Sequence, residues 1–555
     1  MKRIKNPLLF LLMLFGLFSC QKDELNLETE NNTKINGNVE PKGMMVLGDK
    51  LENPYSVENM KKAYESLKSS TTLKSATIDT FEVVANTLYI RFLPKDSTDL
   101  RILWADTSIE LFDFPLDYEI VEEGFYYHDP EIPEGQPTWQ YTSVPIDYQF
   151  SNVQYEIIEE CYIPEDEEEE DTDLKSTYSD DFYGQLELEA FRITGNLEEE
   201  SILKSTNGIL AKKKKPKGTI RVNNTIDGLE GVMRVKVRVH NFVKWNTRNT
   251  DESGNYQMSK NFRTNIHYAV IFENSRGFKI WGNWAFLAPA HYNMGWHSNS
   301  GYSRDINQNS DAWKWSTVNN AVYKYIDYCD DFSISEPPSN LRVWVFEKGD
   351  GTTMGSASML RRTWGLYGFT TTSKLGNFYW KMNDVSLSVN NLALLTKFAQ
   401  PDLTISVNSD NVGTDDVYNT TFHECAHASH WTKVGSSYWV KYINYIITYG
   451  AYGDGTGQNA GYCGVGEMWG NYIGAMLERQ EFSRTNWNDL NHGEVWYNPG
   501  FLRHVDDIPD VTTSEIFSCM TSSTNTIAKM VEQLKTKTEN DEDVDNAYDL
   551  YPDWP

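Results

Sequence analysis

Three residues carry the types and spacing that metal-assisted hydrolysis needs: His423, Glu424 and His427, within the run from Thr414 to Val434. On an α-helix, residues four apart share a face and lie about 6 Å apart along the axis, so two imidazoles can converge on one Zn2+. A carboxylate beside the first imidazole, here Glu424, is placed to take a proton from an attacking water. A catalytic zinc keeps three protein ligands and an open position for water, so a third ligand is needed. His430 is excluded by distance. It is seven residues from His423, about 10.5 Å along a helix axis, too far for both to reach one ion at about 2.1 Å. Its expected place is beneath the site or along the cleft. Thr414 is the expected N-cap, Asp415 and Asp416 suit the positive first turn, and Gly435 supplies the stop.

Downstream, Gly464 to Leu477 reads as a second helix, with Glu467 forty residues beyond His427. His423-Glu424-Cys425-Ala426-His427 followed by Glu467 resembles the gluzincin arrangement of zinc metallopeptidases, with a longer gap than in thermolysin-like members. The resemblance implies an α+β zincin-like domain in which Glu467 completes the zinc sphere and Glu424 is the general base. In that family the residue four positions on, here Asn471, commonly hydrogen-bonds a ligand imidazole. Glu478 and Glu481 remain competing acids, in settings that read as more exposed. The resemblance also implies a Tyr or His donor to the tetrahedral oxyanion, for which Tyr462, Tyr472 and His492 are available. The metzincin pattern is excluded, because it requires Gly at 430 and His at 433 where this chain has His430 and Lys433. Cys425, two residues from His423, points off the metal-facing side and reads as a buried thiol.

The rest of the chain must carry this pair of helices. Lys2, Arg3 and Lys5 precede an apolar run from Pro7 to Phe18, shorter than the about 20 residues a membrane-spanning helix needs. That pattern reads as an export signal. Leu17-Phe18-Ser19-Cys20 resembles the lipobox of bacterial lipoproteins, although Phe18 is larger than the residue the pattern prefers. The resemblance implies a signal peptide over 1–19 and a lipid anchor on Cys20. Gln21-Lys22-Asp23-Glu24 resembles the acidic tag that sends Bacteroidota lipoproteins to the outer face of the outer membrane. The implied location is the outer membrane, exposed at the cell surface and attached through lipid.

Fifty Lys and Arg against 79 Asp and Glu give a formal charge of −29. A phosphate backbone needs a basic footprint, so no nucleic-acid partner is expected. Six cysteines in 555 residues exclude a disulfide-dense scaffold, and the five beyond Cys20 leave at least one unpaired. At about 150 residues per domain the length accommodates three or four.

Residues 20–42 are polar and read as a tether. Residues 43–211 are expected to be β-rich, in a role no motif decides, a prosegment among the options. Within them, Met60 to Leu67 follow a helical pattern behind Ser56 as N-cap, while Thr87 to Leu93 and Arg101 to Trp104 alternate like strands. The seven acids from Glu165 to Asp171 lack the Gly and Asn of a calcium loop and read as solvated. Residues 212–217, with Lys212 to Lys215, form a basic linker or a processing site. From Gly218, Thr219 to Val222 and Met233 to Val239 alternate strictly, as half-buried strands do. Thr250-Asp251-Glu252-Ser253-Gly254-Asn255-Tyr256 resembles the turn of the carboxypeptidase-regulatory-like β-sandwich family, implying a spacer over 218–275. Trp281, Trp284, Trp296, Trp313 and Trp315 are expected in a core rather than as a carbohydrate platform.

The expected molecule is multidomain: a β-rich N-terminal region and a β-sandwich spacer, then an α+β zincin-like domain over 276–555. The expected activity is zinc-dependent hydrolysis of peptide bonds in extracellular proteins or glycoproteins. The alternative is a surface lipoprotein that binds glycans or proteins around a non-catalytic zinc. Glu424 favours the first, since a structural site needs no base.

Overall fold

The structure, a computed structural model, describes residues 41–551 except 42, 70–80, 134, 165–179, 198–211, 283–287, 350–352, 364–375, 377, 380–381, 384–399 and 484–494. Cys20, the export signal, the tether, the acidic run, Trp284 and His492 lie outside the described residues. Among those described, no helix is long and apolar enough to cross a membrane.

The fold is mixed α/β, with twelve helices among the described residues and one sheet of eight strands. From its free edge that sheet runs Met354–Ser356, Leu403–Val407, Arg342–Glu347, Lys279–Trp281, Ile266–Asn274, Val235–Asn241 and Lys244–Asn249, with His291–His297 also paired to Ile266–Asn274. The pairings around Arg342–Glu347 are parallel, and the edge strand Met354–Ser356 is antiparallel to its neighbour.

Strict alternation decides which face is apolar. Val235, Val237, Val239, Tyr268, Val270 and Phe272 point one way and share a core with Trp281, Trp313 and Trp315. Helices Asp311–Asp331 and Thr414–Val434 pack on the sheet and on each other. Trp296 departs from the expected core, being 40% exposed.

The other face carries Lys236, Arg238, His240 and His267, a pattern that normally meets water. Here it is buried under residues 110–125. Glu110 pairs with Lys236 at 3.2 Å and Arg238 at 3.4 Å, Glu123 lies 3.0 Å from His267, and Asn293 donates to the Gly124 carbonyl at 2.6 Å. Charges are tolerated out of water when each finds a partner, and the N-terminal region supplies those partners.

These pairings revise the expected boundaries. The sheet runs through position 275, because Glu273 pairs with Lys279 and Lys279–Trp281 continue in parallel with Arg342–Trp344. Residues 218–275 are therefore not a self-contained sandwich, and residues 40–555 form one compact unit. The turn at Thr250–Tyr256 nevertheless forms as its residues suggest. Asp251 accepts from the Asn255 amide at 2.8 Å, Gly254 takes φ +80°, and Tyr256 enters the core.

Residues 43–211 are mixed rather than β-rich. Thr87–Leu93 pairs between Gln140–Pro145 and Gln154–Cys161, and helices Val57–Ser69, Ser97–Ala105 and Asp180–Ile193 pack around them. Ser56 caps the first helix by accepting from the Asn59 amide. Arg101 to Trp104 is helix, not strand: Asp96 accepts from the amides of Thr98 and Asp99, and Leu100 and Leu103, one turn apart, are the buried positions. The basic linker is tied down at Lys214, which exchanges two backbone hydrogen bonds of 3.0 Å with Phe262.

Candidate metal centre

Helix Thr414–Val434 is set by its ends and its back. Its N-cap is Gly413 rather than Thr414; the Asp416 carboxylate accepts from the Gly413 amide at 3.0 Å. Thr414 is diverted to Thr225, with which it exchanges two hydrogen bonds of 2.8 and 3.0 Å. Gly435 ends the helix at φ +78°, its amide donating to Trp431. Ser429 meets the Tyr325 hydroxyl at 2.9 Å, locking the helix to Asp311–Asp331.

On the opposite side His423 and His427 face each other, their Nε2 atoms 2.9 Å apart. The second helix, Ala460–Phe482, brings the Glu467 carboxylate 3.4 Å from His423 Nε2 and 3.6 Å from His427 Nε2. Glu424 Oε1 stands further off, 3.9 Å from His423. His423, Glu424 and His427 form a group able to hold a metal ion, their ligand atoms within 4.8 Å of one another. Glu467 is the better carboxylate ligand on geometry, because it faces both imidazoles, whereas Glu424 faces the edge strand. The competing acids are engaged elsewhere, Glu478 with Asn419 and Glu481 with Lys324, and both are half-buried rather than exposed.

Burial shapes the charges. It pushes Glu424 up to about 8, opposed by His423 and assisted by the charge of Glu467. It also works against ionising Glu467, but the two imidazoles outweigh it and hold that carboxyl far below its ordinary range. His427 is lowered by burial, while for His423 the two carboxylates overcome burial and raise it. Oε2 of Glu467 and Oε2 of Glu424 are buried without a hydrogen-bond partner. Two imidazole nitrogens 2.9 Å apart and a carboxylate oxygen without a hydrogen-bond partner form a donor set able to hold a metal ion.

The close approach of the two helices depends on glycine. A Cβ on Gly470 would stand 2.8 Å from Cε1 of His427 and 3.0 Å from Nε2 of His423; one on Gly474 would stand 3.2 Å from Cβ of His423. Gly466, one turn earlier, seats the ring of Tyr442. Trp469 adds a hydrogen bond to the Ala426 carbonyl at 3.2 Å. These glycines stand at four-residue spacing, a signal visible in the sequence but missed there.

The edge strand imposes a similar limit. A Cβ on Gly355 would come 2.5 and 2.7 Å from Cγ and Cδ of Glu424. Gly355→Ala is accordingly expected to push the Glu424 carboxylate aside, a displacement a structure of the variant would show. An unmoved Glu424 side chain would show that it is not held by this contact.

Other expected site residues fall differently. Asn471 does not reach an imidazole; its amide donates to the Glu467 backbone carbonyl at 2.9 Å. The partner to the metal group is instead Tyr442, on helix Ser436–Tyr449, whose hydroxyl donates to Oε1 of Glu467. Tyr462 is occupied by Lys441 at 2.8 Å and Asn525 at 2.9 Å, and Tyr472 lies in the core beside Asp506 and Thr513. A different tyrosine senses the site: the charge of Glu467, more than burial, raises the Tyr452 hydroxyl well above its ordinary value, and Glu424 adds to this. His430 is buried between the rings of Tyr438 and Trp439, outside the metal group. Cys425 is buried, and all five cysteines among the described residues are free.

No protein-family model matches the sequence, and no curated protein is significantly similar to it.

Proposed function

We propose that this protein is a zinc-dependent endopeptidase of gluzincin type, carried as a lipoprotein on the outer membrane and acting on extracellular proteins or glycoproteins. The observation that supports it most is the convergence of His423, His427 and Glu467, with a second carboxylate, Glu424, whose Oε1 lies 3.9 Å from His423 and whose ligand atoms are within 4.8 Å of both imidazoles. A site built only to hold a metal has no use for that second carboxylate.

His423, His427 and Glu467 would hold the ion, which when bound polarises the scissile carbonyl and makes water a better nucleophile. Glu424 takes the proton from that water and passes it to the leaving amine. The edge strand orients the substrate. Among the described residues no strand pairs with the outer side of Met354–Ser356, so an extended peptide can add there through main-chain hydrogen bonds, beside Glu424.

The test is metal removal on the intact protein. Purified protein is expected to carry about one zinc, to cleave casein or mucin, to lose that activity with a chelator, and to regain it with added Zn2+. Metal-loaded protein that cleaves nothing in a broad protein panel would sink the peptidase reading and favour the binding-protein alternative.

A further inference from the structure

We propose that Tyr442 is a positioning residue for the third ligand: by hydrogen-bonding Oε1 of Glu467 it makes Oε2 the favoured oxygen for the metal. The inference rests on the metallopeptidase reading above and concerns how its site is tuned.

The two oxygens of Glu467 have different surroundings. Oε1 accepts a hydrogen bond from the Tyr442 hydroxyl. Oε2 is buried, has no hydrogen-bond partner and stands 3.4 Å from Nε2 of His423. Both side chains are out of water, with Tyr442 2% and Glu467 1% exposed.

The donor is also fixed in place. The Tyr442 ring stacks obliquely on Trp439, centroids 4.6 Å apart, and lies 5.6 Å from the His427 ring. Its far side rests on Gly466, where a Cβ would come within 3.3 to 3.4 Å of the ring. Trp439 is anchored in turn, its indole donating to the Ala357 carbonyl at 2.8 Å, one residue past the edge strand. The phenol therefore cannot swing away without disturbing both the ligand helix and the strand beside Glu424.

The chemical consequence follows from competition for lone pairs. A carboxylate with two free oxygens can bind a cation through both. One whose Oε1 already accepts a charge-assisted hydrogen bond has one lone pair fewer and less electron density to offer at that oxygen, so binding through Oε2 is favoured. Tyr442 thus favours one-oxygen binding by Glu467. That keeps the number of protein donors at three and leaves a position for water, the condition for catalysis rather than storage.

The experiment uses the full chain stripped of metal, wild type and Tyr442→Phe, which removes the hydroxyl alone. Each is titrated with Zn2+ against a chromophoric chelator and, separately, with Co2+ while its visible absorption is recorded. Loss of the hydroxyl is expected to weaken zinc binding about 10- to 100-fold, the usual penalty for losing a partner of a ligand. The Co2+ bands should weaken as the ion gains a second carboxylate oxygen and leaves four-coordinate geometry. Thermal unfolding of the metal-free proteins is measured in parallel, because a merely structural tyrosine would lower that midpoint and move neither metal readout. Wild-type zinc affinity together with a wild-type Co2+ spectrum in Tyr442→Phe overturns the assignment, whatever the midpoint does. If that variant does not fold, Gly466→Ala, which keeps the hydroxyl but displaces the ring, should shift both metal readouts in the same direction; no shift overturns the assignment equally. A wild-type protein that takes up neither metal overturns the metallopeptidase reading itself, an outcome separate from normal wild-type binding with an unchanged variant.

Discussion

Glu424→Gln is expected to reduce proteolysis by roughly 10²- to 10⁴-fold, the range that loss of a general base removes. Gln matches Glu in size but cannot accept the proton. Metal content should not change, because the proposed ligands are His423, His427 and Glu467. The environment of Glu424 explains why the loss should lie high in that range. Its carboxylate is buried, Oε2 has no hydrogen-bond partner, and burial lifts its pKa to about 8, so it is a stronger base than an exposed Glu. A bound cation would draw that value down again. Steady-state kinetics on casein with metal analysis of the same samples decides the matter. A Gln variant that keeps wild-type kcat would remove Glu424 from the chemistry.

Gly470→Ala should act on the metal rather than on the base. One methyl group there would press on both ligand imidazoles, at 2.8 and 3.0 Å. Relief requires helix Ala460–Phe482 to move off Thr414–Val434, carrying Glu467 with it. Metal affinity is expected to fall on the order of 100-fold, the scale of a displacement of about 1 Å at a reacting centre. Overpacking should also cost about 1–3 kcal/mol of stability. Gln480→Ala, at an exposed position of the same helix, serves as the control and should change neither. Chelator competition on both variants measures the first effect and thermal unfolding the second. Equal zinc affinity in the two variants would mean that the helices are not in the contact described.

The ligand helix was the most legible part of the molecule, because its information is local: His423 and His427 at four-residue spacing, acids in the first turn and Gly435 at the end. Glu467 could be reached only through resemblance, since the more exposed settings read for Glu478 and Glu481 do not hold, both being half-buried once the chain has folded back. Tyr442 was out of reach, lying on a third helix whose packing brings its hydroxyl to Glu467. Thr414 was misassigned as a cap because Thr225, its actual partner, is far away in sequence. Arg101 to Trp104 was misread because a short apolar run suits either period, and the deciding contacts are the Asp96 cap and the burial of Leu100 with Leu103. The boundary at 275 failed at longer range. Alternation along Met233–Val239 reveals a strand with one polar face, but not that Glu110 and Glu123 cover it.

The glycines between the two helices have a use outside this molecule. Gly466-Glu467-x-x-Gly470-x-x-x-Gly474 records, in four fixed letters, that a helix must lie almost backbone-to-imidazole against the one bearing His-Glu-x-x-His. Joined, the two patterns make a query that tolerates any insertion between them and any change in the surrounding domains. A distant relative that satisfied both would share the helix contact even where every other trace of common descent had been erased.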